Sequence, residues 1–462
     1  MALTAAVCVA IEVQPAVGLP NQITKIAVTD AMKARKNGGG PNEAPSSFWT
    51  PNIVVTTNGT VVIMAMAKPT FSNYMVSSCD GGVTWRKHAE PMGPPGTSQL
   101  VYSPTSDTLF LLGKSPNMVD NGTRPDPGNG AWLWQSKSMD AGMTWSEPAA
   151  INQTNPTYGP HYGGSGRTQG IELTRGPHKG RLVVAKIGAS LAEQPIKPTH
   201  GKAGRPPIHA FAIYSDNNGE TWALGDELGP KGSQSAPNGV NVWDEDTLTE
   251  LKNGSVLLSV RIDDPEDQDK HHPDTNTTRV RTTRGFARSD DGAWTIAHRQ
   301  DCHVATPRLL VNVRCIHTLR LAVRSGGATW SEVWTLYERQ PEIYDSPCSD
   351  GLVSSEKTGA IYWGHPHGIN GSRTNYTILR SMDQGAHWSI LSPVVYPGGA
   401  GYSSLTLLPH AGPEDWLGVS FQRTIWDPNL EGGGYNIAFA SVEVSPSTST
   451  EEEAEEALAA FE

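Results

Sequence analysis

The nine residues SSCDGGVTW (77–85) recur along the chain. Ser78, Asp80, Gly82, Thr84 and Trp85 return as Ser138, Asp140, Gly142, Thr144 and Trp145 in SKSMDAGMTW. They return again as Ser215, Asn217, Gly219, Thr221 and Trp222 in YSDNNGETW, and as Ser381, Asp383, Gly385 and Trp388 in RSMDQGAHW, where His387 takes the threonine slot. A fifth copy, RSDDGAW, starts at Ser289, carries Asp291 and loses the frame at Ala293. The copies lie 60 to 92 residues apart, each after an alternating apolar segment such as HAFAIYS or YTILRS. Alternation of period two is a strand signal, and an Asp/Gly cluster after it is a turn signal. The chain is therefore expected to repeat one sheet unit with one signature turn, as the blades of a propeller do.

The local chemistry of the turn makes it structural. Asp or Asn bonds backbone N–H groups within its own turn, Gly takes a left-handed backbone conformation, and Trp is expected to pack between neighbouring sheets. The rest of the composition agrees. Of 462 residues, 48 are Gly and 35 Pro, which punctuates the chain too densely for long helices. A net charge of −11 argues against general binding of nucleic acid or anionic membrane, so an anionic ligand would need a local cationic site. No apolar run approaches the roughly 20 residues of a membrane span.

With these boxes the chain resembles the sialidase (neuraminidase) superfamily, whose Asp-box pattern is S-x-D-x-G-x-T-W. GRLVVAKIG and HAFAIYSDNNGETW are similar to the family's second-blade strand and third box. The resemblance implies an all-β fold, a six-bladed β-propeller of four-stranded antiparallel blades, over residues 45–445. Residues 1–44 would be a mobile arm and 446–462 an acidic, disordered tail.

Three segments carry the resemblance into chemistry. DEDTLTELKNGSVLLSVR (244–261) puts Glu245 at the position of the family's catalytic glutamate and Arg261 at a position of its arginine triad. GSRTNYTILRSMDQGAHW puts Arg373 at a second triad position, while Arg380, next to the box, reads as a solvated strand residue. GAGYSSLTLLPHAG puts Tyr402 at the catalytic tyrosine. The set fits one chemistry. A sialoside carries a carboxylate on its anomeric carbon, which repels an anionic nucleophile, so a neutral phenol attacks with a glutamate as its base. Arginines clamp the substrate carboxylate bidentately and stay charged. By resemblance, Tyr402 is the nucleophile, Glu245 its base, and Arg261 with Arg373 the clamp. The implied partners are sialylated or related acidic glycans, with no cofactor or metal required.

Blade one departs from the family. FWTPNIVVTTNGTVVIMAMAK has Trp49 where the first triad arginine belongs, Met66 for a Glu and Lys68 for a final Arg. PTFSNYMV, between Lys68 and Ser77, holds none of the acid expected there. Either the site is rebuilt, with Arg167 of GGSGRTQG as a third cation and His161 as proton donor, or the protein is an impaired relative that binds acidic sugars. A propeller used only for protein interaction would not need Tyr402, Glu245, Arg261 and Arg373 all in register.

Other features are blander. Residues 294–323 follow the broken fifth box and read as an insertion. The histidine pairs His271/His272 and His365/His367 lack a third ligand at metal-binding spacing, and the five cysteines form no C-x-x-C pair. An apolar stretch from Ala2 to Ile11 and seven N-x-[ST] sequons point to a secreted or endomembrane, lysosome-like protein, with the cytoplasm as the alternative.

Overall fold

The computed structural model describes residues 22–34, 45–88, 96, 98–114, 133–151, 162–163, 168–189, 208–227, 242–263, 282–289, 334–335, 340, 343, 346, 348–368, 372–425 and 434–445. These residues are all-β, with no helix among them. Strand β1 (Ile23–Met32) comes first. Blade one is β2 (Ser47–Val55), β3 (Val61–Lys68), β4 (Ser72–Ser78) and β5 (Arg86–Lys87), and blade two is β6 (Ser98–Ser103), β7 (Thr108–Lys114), β8 (Leu133–Ser138) and β9 (Ala149–Ile151). Blade three has an inner strand in two pieces, β10 (Tyr162–Gly163) and β11 (Ile171–Glu172), both paired to β12 (Leu182–Ala189), followed by β13 (Ile208–Ser215) and β14 (Ala223–Glu227). Blade four is β15 (Val242–Glu250), β16 (Val256–Asp263), β17 (Thr282–Ser289) and β18 (Trp334–Thr335). Blade five is β19 (Gly351–Ser354), β20 (Ile361–Pro366), β21 (Thr374–Ser381) and β22 (Ser389–Ile390). Blade six is β23 (Tyr396–Leu407), β24 (Asp415–Ile425) and β25 (Gly434–Val444), completed by β1.

The core identifies the arrangement. It consists of six apolar clusters, one in each gap between consecutive blades. Val62 and Leu111 meet between blades one and two, Phe110 and Phe211 between two and three, and Val183 and Leu258 between three and four. Phe286 and Trp363 meet between four and five, Ile378 and Val419 between five and six, and Phe439 and Ile63 between six and one. The last pairing closes a ring of six blades, of which five and six are joined into one sheet by pairing of β21 with β23. Hydrogen bonds between inner strands follow the same circuit. Asn52 accepts from Leu100 N, Gly170 N donates to Leu100 O, Thr168 Oγ1 to Asp246 O, Ser259 Oγ to Asp350, and Ser403 N to Ser349 O. Gln422 Nε2 donates to Phe48 O and completes it. Each blade buries both faces against neighbours, which is why a central strand such as β3 is apolar on both sides.

Four of the repeated turns adopt one geometry. In each, the serine hydroxyl donates to the Asp or Asn and accepts from the glycine N–H, as Ser78 does at 2.6 Å to Asp80 and 2.8 Å from Gly82. The same carboxylate oxygen takes the N–H four residues on, and Oδ2 takes the threonine hydroxyl, or His387 Nδ1 in the fourth copy. In the Asn217 copy the amide nitrogen instead donates to Thr221. Burial works against the Asp80 charge, but the bonds from Ser78, Thr84 and Val83 overcome it and hold its pKa at about 2. Asp291 lies outside the described residues.

The glycine of each turn leans on the preceding blade. A Cβ on Gly82 would stand 2.0 Å from Phe439, and one on Gly142 2.6 Å from Met75 Sδ. Trp85 meets Phe439 edge to face and donates to Thr29, and Trp222 donates to Gln135 of blade two. Gly82→Ala is therefore expected to destabilise by about 1–3 kcal/mol through overpacking, beyond the cost of its left-handed φ. Gly59→Ala shares the positive φ but meets open space, so it isolates the conformational part. Denaturant midpoints of the two variants check this, and equal losses would exclude the packing term.

Two expectations need correcting. Residues 1–44 are not all a mobile arm, because Ile23–Met32 pairs with β25 along its length, from Ile23↔Val444 to Met32↔Ile437. β1 thereby becomes the outer, fourth strand of blade six. Arg380 is not solvated. It is 3% exposed and its guanidinium donates to Ser445 O at 3.0 Å. Residues 294–323 and 446–462 lie outside the described residues.

Candidate active site

The inner strands of three blades carry an irregularity at the same end. In β15 the register slips between Asp244↔Arg261 and Asp246↔Val260, leaving Glu245 as the extra residue with φ 54°. In β2 it slips between Trp49↔Met66 and Asn52↔Met64, with Thr50 at φ 47°. In β23 it slips between Ala400↔Arg423 and Ser403↔Phe421, the interval that contains Tyr402. A bulge re-aims a side chain, and a non-glycine residue at positive φ costs roughly 1–3 kcal/mol that the surroundings must hold in place. All three bulges act on residues that converge on one centre.

Glu245 is buried, and its carboxylate accepts from Arg261 Nη1 at 2.7 Å. Arg373, from the segment before β21, stacks its guanidinium 5.1 Å from the centre of the Tyr402 ring and donates to the phenol oxygen. Burial works against the Arg373 charge. Cys348, Tyr402 and Glu245 nearby outweigh that and raise its pKa above the ordinary arginine value. Blades four, five and six thus contribute Glu245 with Arg261, Arg373 and Tyr402 to one cluster. Tyr402 is 8% exposed, and its N–H donates to Gln422, the same side chain that ties blade six to blade one. The phenol is therefore fixed by the ring closure itself. His161 and Arg167 lie outside the described residues.

Blade one adds two residues that the motifs did not place in the centre. The Trp49 ring meets the Tyr402 ring edge to face at 6.3 Å. The Lys68 ammonium sits 3.3 Å above the centre of the Trp49 ring, with Phe71 at 6.0 Å on another side. Burial pulls the Lys68 pKa below its ordinary value. Pairing of Ser47 with Lys68 across β2 and β3 brings the two ends together. Blade five adds Asp350, fully buried, which accepts from Ser259 and from the Trp363 indole. His365 is packed flat on Trp363 at 4.0 Å, as a core aromatic would be.

Below Glu245 lies a buried ionisable pair. Asp246 follows it in β15, and Lys186 of β12 faces Asp246 from blade three with no exposed surface. Burial pulls the Lys186 amine down to about 7 against the opposing attraction of Asp246. Both residues lie in segments that the sequence marked, GRLVVAKIG and DEDTLTELKNGSVLLSVR, but their pairing across two blades has no signal along the chain.

The chain is similar to known proteins in sequence and in fold. A sialidase of Micromonospora viridifaciens is 27% identical over 239 residues, which cover 46% of this chain and 33% of that protein. In sequence the chain is similar to that sialidase. The aligned part spans about a third of that relative's length. Among solved structures, the intramolecular trans-sialidase of Ruminococcus gnavus, solved with oseltamivir carboxylate, is 16% identical, with a TM-score of 0.53 over 90% of this chain and 96% of that one. The α-L-arabinanase of Penicillium chrysogenum, solved with arabinobiose, is 15% identical, with a TM-score of 0.53 over 93% and 98%. At these identities the likeness is one of fold. No family profile matches the chain.

Proposed function

We propose that this chain is a member of the sialidase superfamily and an exo-α-sialidase-type glycoside hydrolase that removes terminal sialic or related nonulosonic acids from glycans. The observation that carries the proposal is the surroundings of Arg373, which bring the Tyr402 phenol, the Glu245–Arg261 pair and a stacked guanidinium from three blades to one point. A binder needs the cations. It does not need a phenol held against a guanidinium beside a buried carboxylate.

In this mechanism Tyr402 Oη attacks the anomeric carbon while Glu245 takes the phenol proton, and the bond to the aglycone oxygen breaks. The Arg373 guanidinium beside the phenol oxygen stabilises the negative charge that develops there. Water then cleaves the tyrosyl–sugar bond, the sugar keeping its anomeric configuration.

A second reading, an impaired propeller that binds acidic sugars, draws on the absence of any carboxylate between Lys68 and Ser77. Loss of a general acid removes about 10²–10⁴-fold of rate where the leaving group is poor. The purified protein is expected to release sialic acid both from an aryl α-sialoside and from sialyl-lactose, with retained configuration by proton NMR. Release from the aryl glycoside alone would assign the missing acid to the second reading. Release from neither would sink the hydrolase proposal.

A further inference from the structure

The site contains three cations from three blades, and their circumstances differ. Arg261 is tied to the Glu245 carboxylate at 2.7 Å. Arg373 is stacked on Tyr402 and donates to its oxygen. Lys68 is different. Its ammonium is half-buried and rests on the Trp49 and Phe71 rings, and no acidic side chain among the described residues pairs with it. An ammonium has three N–H donors, and an aromatic face satisfies its charge only in part. A desolvated cation of this kind is stabilised by an anion that enters the site. Trp49 cannot supply a donor fork to a carboxylate. It holds an amine on its ring at 3.3 Å, and the same ring meets the Tyr402 ring edge to face.

We infer that Lys68, seated on Trp49, completes the carboxylate-binding part of the site, so that an ammonium on an indole does the work of a guanidinium in blade one. This rests on the reading of the site as one for a sugar acid. It names Lys68 as a specificity-determining residue and Trp49 as the residue that positions it. The substrate feature it recognises is the carboxylate at the anomeric carbon. A lysine on a four-carbon stem is a point charge without a bidentate fork, so it contributes charge more than orientation.

A chemical cycle tests this. The 2,3-dehydro-2-deoxy form of N-acetylneuraminic acid and its methyl ester are titrated by calorimetry into the full-length wild type, Lys68→Met and Lys68→Arg. The wild type is expected to favour the acid. Lys68→Met is expected to weaken the acid about 10- to 100-fold, the range for a hydrogen bond to a charged group, and to leave the ester unchanged. Lys68→Arg is expected to restore the preference. If the wild type prefers the acid and Lys68→Met keeps that preference, Lys68 is excluded while the sugar-acid reading stands. Equal weakening of acid and ester would make Lys68 a packing residue and overturn the inference. A wild type that binds neither, or does not distinguish them, overturns the inference together with the reading beneath it.

Discussion

Tyr402→Phe is expected to abolish turnover of an aryl α-sialoside, by at least about 10³-fold in kcat, as removal of a nucleophile does. The substitution takes away one oxygen. The ring keeps its edge-to-face contact with Trp49 and its place under Arg373. The backbone N–H keeps its bond to Gln422. Stability is therefore expected to fall by no more than about 1.5–3 kcal/mol, the net worth of a hydrogen bond to a charged group. Steady-state kinetics and a thermal melt on the same preparation separate chemistry from folding. A Phe variant that turns over at a tenth of the wild-type rate would place the nucleophile elsewhere.

Glu245→Gln makes the useful contrast. It removes a proton acceptor, worth about 10²–10⁴-fold. It also leaves the half-buried Arg261 guanidinium without its carboxylate, and breaking such a pair costs up to the roughly 3–5 kcal/mol of a fully buried one. Loss of rate with the larger loss of stability at Glu245, against loss of rate with the smaller one at Tyr402, is the expected pattern.

The second large effect concerns closure of the ring. Deletion of residues 1–33 is expected to leave the protein insoluble or without a cooperative unfolding transition. It strips β1 from the edge of β25 and with it the buried Ile23, Ala31 and Met32. It also removes Thr29, which accepts from the Trp85 indole of blade one. Each large apolar side chain is worth about 1.5–3 kcal/mol on burial, and a whole domain is stable by only about 5–15 kcal/mol. The exposed β25 edge then offers unpaired backbone groups to other chains. Urea denaturation followed by tryptophan fluorescence reads the outcome. A truncated protein with the wild-type midpoint would mean that β1 is dispensable to the ring. Recovery of the transition on adding a peptide of residues 22–34 would tie the defect to this strand alone.

The repeated turn was legible in the sequence because its physics is local. Ser78, Asp80, Gly82 and Thr84 satisfy one another within a few residues, so spacing alone encodes the geometry. Alternation before each turn encoded the strands for the same reason. Glu245, Arg261, Arg373 and Tyr402 could be singled out only through likeness to a family, since nothing local sets them apart. Their meeting in one centre depends on bulges in β2, β15 and β23 and on a ring that brings blade six back to blade one. Burial of Arg380 against Ser445, addition of β1 to β25 and the seat of Lys68 on Trp49 are likewise long-range matters. Residues distant in sequence met there because closing six blades leaves each inner strand one way to face the axis. The sequence by itself determined the repeating unit and its turn. Only the tertiary structure decided which side chains share the centre, because contacts between blades have no periodicity along the chain.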